Sequence, residues 1–83
     1  MLINSDFERH GFVLTHNFGK AKKYSNPHII LAGHELSIIQ LSATKVRKGF
    51  HKVELLVNDI MLCYEVMSSP EELRLFLLHH KII

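Results

Sequence analysis

The chain has 83 residues, 47% of them hydrophobic, and a formal net charge of +2. That fits one packed domain over 1–83 with no room for a second core. Cys63 is the single cysteine, so no disulfide can form within the chain. No apolar run approaches the ~18 residues of a membrane span, and the acids among residues 1–8 do not suit a signal peptide. With the lone thiol, these features predict a soluble, cytoplasmic protein. A chain of this length buries only ~60–65% of its unfolded surface, so self-association is one of the few stabilisers open to it.

Ser5-Asp6-Phe7-Glu8 has capping-box spacing, with Glu8 three residues after Ser5 and Gly11 as a stop, which predicts a helix of one or two turns. The aromatic and β-branched stretch 12–16 predicts a strand. Asn17-Phe18-Gly19 fits a three-residue hairpin loop with glycine in the left-handed region. The returning strand is expected over 20–25, polar enough for a sheet edge. Asn26-Pro27 breaks the pattern. Residues 28–32 and 35–42 read as the next strand pair around Gly33-His34, with Leu31 facing Leu36 and Ile29 facing Ile38. Residues 43–52 read as a basic connector containing Gly49.

The clearest unit is a hairpin over 53–66 turning at Asn58-Asp59. A two-residue turn pairs Val57 with Ile60, Leu55 with Leu62 and Val53 with Tyr64, and places those six on a core face. The same register sets Lys52 opposite Glu65. Ser69-Pro70-Glu71-Glu72 then starts a helix expected to reach about Lys81: serine caps, proline takes the first turn, and Glu72 completes a capping box. The predicted fold class is α+β, an antiparallel sheet of about five or six short strands in hairpins. A C-terminal helix packs on one face, with a possible short N-terminal helix.

Candidate chemistry is sparse. The seven histidines, His10, His16, His28, His34, His51, His79 and His80, show no zinc-ligand spacing. His79 and His80 are adjacent and point about 100° apart on a helix. No nucleophile elbow, phosphate-cradling glycine loop or close carboxylate pair in an apolar stretch appears. Cys63 with a distant histidine could be drawn as a dyad, but seven histidines permit many such drawings. The reading assigns no catalytic residue, metal ligand or cofactor, and a small enzyme or metal-binding protein ranks last.

Charge distribution is more informative. Residues 9–52 hold eight basic residues against the single acid Glu35, while acids dominate from Val53 onward. Two cationic clusters stand out: Lys20, Lys22, Lys23 with Tyr24, and Lys45, Arg47, Lys48 with Phe50, His51 and Lys52. Lysines neutralise anionic surfaces and an exposed aromatic can stack on a base. The expectation is a small non-catalytic interaction module that binds a macromolecular partner through a basic surface. The partner is an acidic protein or, in the alternative reading, DNA or RNA bound with little sequence preference; no membrane role is expected.

The C-terminal helix adds a second expectation. Leu73, Phe76 and Leu77 form one apolar stripe, continued by His80, while Leu75, Leu78 and Ile82 form another on nearly the opposite side. One sheet face covers one stripe. The other needs a lid, either the Met1-Leu2-Ile3 segment or a second copy, and a two-fold homodimer through Leu75, Leu78 and Ile82 is the favoured solution.

Overall fold

The computed structural model describes residues 1–27 and 38–83. In chain order these are α1 (Asn4–Glu8), β1 (Val13–Asn17), β2 (Ala21–Asn26), β3 (Ile39–Arg47), β4 (Phe50–Val57), β5 (Ile60–Met67) and α2 (Pro70–His79). The five strands form an antiparallel meander in the order β1-β2-β3-β4-β5. With α1 before the sheet and α2 after it, the architecture is the α+β arrangement expected from sequence. The expected Gly33-His34 turn, the strand 28–32, the start of the strand 35–42 and both facing pairs, Leu31–Leu36 and Ile29–Ile38, fall at least partly outside the described residues.

β3 corrects the reading of 43–52 as a connector. Ala43 is buried opposite Val53, and the strand continues to Arg47 before turning at Lys48-Gly49, where Gly49 has φ +79°. A strand can carry consecutive cations near a hairpin tip because their long side chains still reach water. The basic stretch is therefore the tip of the β3–β4 hairpin.

The β4–β5 hairpin turns where expected, with Asn58 and Asp59 both at positive φ, and Val57 pairs with Ile60. Beyond that pair a bulge shifts the register. Leu55 faces Cys63 instead of Leu62, Val53 faces Glu65 instead of Tyr64, and Lys52 faces Val66 instead of Glu65. The extra residue on β5 is Leu62, and one inserted residue exchanges the faces of all that follow. Ile60, Leu62 and Tyr64, expected in the core, are 68%, 58% and 56% exposed.

One sheet face carries Tyr24, Leu41, Leu55 and Cys63 as a cross-strand row, and the core forms over it. α1 covers one end: Phe7 is buried and stacks on Tyr24 with ring centroids 4.1 Å apart. Its cap differs from the Ser5/Glu8 box. Ile3 is the N-cap, and the Asp6 carboxylate accepts its backbone N–H at 2.8 Å. The chain then turns at Gly11 (φ +86°), where the Asn26 side chain lies so close that an added Cβ would sit 2.8 Å from its Nδ2.

α2 begins as predicted, with Ser69 Oγ accepting the Glu72 N–H at 3.2 Å and Pro70 in the first turn. Leu73, Phe76 and Leu77 are its buried stripe. The helix stops at His79 instead of reaching Lys81. Lys81 takes φ +58°, and Ile82 N–H returns to the Leu77 carbonyl at 2.9 Å while Lys81 N–H bonds the Leu78 carbonyl at 3.0 Å. This 6→1 and 5→2 pattern turns the residue after the left-handed position back against the helix. Ile82 is thereby buried in the same core as Leu77.

Candidate functional site

The two basic clusters meet at one end of the sheet. Lys20 lies in the β1–β2 turn and Lys45 near the end of β3, and the Lys45 N–H donates to the Lys20 carbonyl at 2.9 Å. Lys22 pairs with Ala43, and Lys45 with His51, on the side of the sheet that bears the core. There a cleft of about 460 Å³ opens between the first residues of the chain and strands β2 to β4. Lys20, Lys22 and Lys45 line it together with Asn4, Ser5 and His51. A smaller cleft of about 290 Å³, lined by Arg47 and Lys48, shares Lys20 and Lys45 with the first. Among the described residues no carboxylate forms an ion pair with any of these five cations.

The remaining site candidates separate from this group. Lys23 Nζ pairs with Asp59 at 3.0 Å and Lys52 Nζ with Glu54 at 3.5 Å. Lys52 also lies 4.5 Å from the centroid of the Tyr64 ring. Both strand positions place these lysines on the opposite sheet face. Tyr24, expected as a stacking surface, is buried beneath Phe7, and its hydroxyl donates to Asn4 Oδ1 at 2.6 Å. The same amide oxygen accepts Lys22 Nζ at 3.4 Å, which ties one cation to the cleft wall. Phe50 is half-buried under the Arg47 guanidinium, 4.0 Å from ring centroid to Cζ, and holds that cation at the hairpin tip.

His51 belongs to the second basic cluster in the sequence, but alternation along β4 cannot distinguish a buried polar residue from an exposed one. It is buried at the cleft, and its Nδ1 has no hydrogen-bond partner among the described residues. Burial lowers its pKa below the ordinary histidine value, and Lys45, the terminal ammonium and Lys22 lower it further. Positive charge therefore converges on this imidazole from β3, β2 and the chain start. Phe18, placed by the sequence only in a hairpin loop, is 70% exposed in the β1–β2 turn and stacks against His16 at 5.7 Å.

Cys63 and His80 do meet, with Sγ 3.5 Å from Nε2. Burial and then Glu65 raise the thiol pKa, the reverse of what a nucleophilic cysteine needs. Beside them runs an open groove of about 710 Å³, lined by Tyr64, Leu75, Leu78 and His79 among others. Leu75 and Leu78 are 50% and 49% exposed, whereas Ile82 is buried and cannot complete the expected stripe. Leu2 is buried in the core without covering that pair. Among the described residues no group of three or more His, Cys, Asp or Glu side chains could hold a metal ion. No helix among them is long and apolar enough to cross a membrane. Comparison with protein-family models, with curated proteins and with solved structures finds no match to this chain.

Proposed function

We propose that this protein is a small non-catalytic binding module that engages an anionic macromolecular partner through the cationic end of its sheet. The supporting observation is the Lys45-to-Lys20 backbone bond, which sets two basic hairpin tips side by side. Lys20, Lys22, Lys45, Arg47 and Lys48 then line adjoining clefts with no carboxylate paired to them among the described residues. A concave cationic surface concentrates field lines and speeds the capture of polyanions. The lone, half-buried Cys63 fits a cytoplasmic setting.

The test is equilibrium binding of the full chain to an acidic peptide and to an oligonucleotide. Replacing Lys45, Arg47 and Lys48 together by glutamate should abolish binding to whichever the wild type captures, with an unchanged circular dichroism spectrum. Unchanged affinity in a folded triple variant would remove the hairpin tip from the interface.

Self-association belongs to the same reading on a separate surface. Leu75 and Leu78 stay half-exposed on α2 beside Tyr64 of β5, and β5 pairs only with β4 among the described residues. Side-by-side apolar rows on a helix and an edge strand suit a two-fold contact between copies. Ile82 has no part in it.

A further inference from the structure

We infer that the cleft over His51 receives a phosphate group of a nucleic-acid strand, held by Lys20, Lys22 and Lys45. This rests on the cationic end being the binding surface, and it names the partner. Three ammonium-bearing side chains from the β1–β2 turn, β2 and β3 line one cleft. A carboxylate offers two oxygens in one plane. A backbone phosphodiester spreads one negative charge over two non-bridging oxygens and adds two bridging ester oxygens, a tetrahedral set of acceptors that cations arriving from three elements can surround.

The interior of the cleft supports the same ligand. His51 lines the cleft, and its Nδ1 is buried without a partner among the described residues, so the polar wall of the cleft is not fully satisfied by the protein itself. A neutral imidazole carries one ring N–H, and a histidine that lines the cleft can donate it to a phosphate oxygen. Asn4 Oδ1 holds Lys22 in place before any ligand arrives, so part of the ordering cost is already met. Arg47 and Lys48 in the adjoining cleft extend the cationic track to the next phosphates of a strand. An acidic peptide would leave the same track with carboxylates on flexible stems and no group shaped for the three-sided pocket.

The experiment titrates the full chain with a labelled oligonucleotide and with a polyglutamate peptide of equal charge. Affinity is read by fluorescence anisotropy at several salt concentrations, and the His51 ring nitrogens are followed by NMR. The expected result is oligonucleotide binding that shifts the His51 resonances and is competed by inorganic phosphate. Lys20→Gln and Lys45→Gln should each weaken binding several-fold and lower the salt slope by about 1, while Lys45→Arg retains it. Neither lysine side chain has a partner among the described residues, and matching thermal midpoints check that the variants fold. Oligonucleotide binding with a silent His51 and wild-type affinity in both glutamine variants would overturn the cleft assignment while sparing the cationic end. Peptide binding without oligonucleotide binding would overturn the phosphate assignment and keep the anionic-partner reading. Binding of neither would remove both.

Discussion

The Lys45 N–H donates to the Lys20 carbonyl at 2.9 Å, joining a residue of the β1–β2 turn to one near the end of β3. Through that bond, two cationic clusters 25 positions apart in sequence become one surface. The pairing brings like charges together, at an electrostatic cost that an anionic ligand would relieve.

The bulge at Leu62 sets the first prediction. Leu55 is buried opposite Cys63, whereas Leu62 is mostly exposed. Leu55→Ala should cost about 2–5 kcal/mol, and Leu62→Ala under about 1 kcal/mol. Urea midpoints decide it, and equal losses in the two variants would restore the unbulged register.

Gly11 supplies the second. Its φ of +86° and the 2.8 Å separation between an added Cβ and Asn26 Nδ2 penalise a side chain twice. Gly11→Ala should destabilise by more than about 1 kcal/mol. Gly49→Ala, at φ +79° with open space around it, should cost less. A neutral Gly11→Ala in thermal melts would contradict the close approach to Asn26.

Acid should weaken the fold in a defined window. Burial lowers the pKa of His51 and of His10, with Lys45 and Arg9 respectively as the next contributors, from an unfolded value of 6.5. As pH falls through 6.5 the unfolded chain takes up these protons first, so stability declines until the folded values are passed. Thermal midpoints should drop between pH 7.5 and 5.5. A flat or rising profile would show that the imidazoles are not held neutral by the fold.

Self-association is predicted through Leu75 and Leu78, both half-exposed on α2. Light scattering at micromolar concentration should give a dimer mass, reduced to a monomer by Leu75→Glu with Leu78→Glu. A monomeric wild type would end the idea. A dimer that survives both substitutions would place the contact elsewhere.

Much of the fold was legible because strong local signals coincided. Ser69-Pro70 with Glu72 marked the start of α2, Asn58-Asp59 marked the last hairpin, and Gly19 marked the first. The errors came where a single residue changes everything downstream. Leu62 carries no mark of a bulge, since an apolar residue suits either face, and so Tyr64 exchanged its expected place for an exposed one. Ile82 followed helical spacing in the sequence, but Lys81 adopted the left-handed conformation without being glycine and folded it into the core. For the candidate site, composition located the cations but not their faces. Strand position sorted Lys22 and Lys45 from Lys23 and Lys52, and a stacking partner for α1 turned Tyr24 into core.

That sorting is the account's central claim, and it is separable from net charge. Lys20 and Lys45 line the cleft, while Lys23 and Lys52 lie on the opposite face paired with Asp59 and Glu54. The direct measurement is the salt concentration that elutes each variant from an immobilised polyanion. Lys20→Gln with Lys45→Gln should elute at clearly lower salt than wild type, and Lys23→Gln with Lys52→Gln, the same loss of charge, should elute close to it. Equal shifts in the two double variants would show that overall charge governs binding and that the clustering at Lys20 and Lys45 does not.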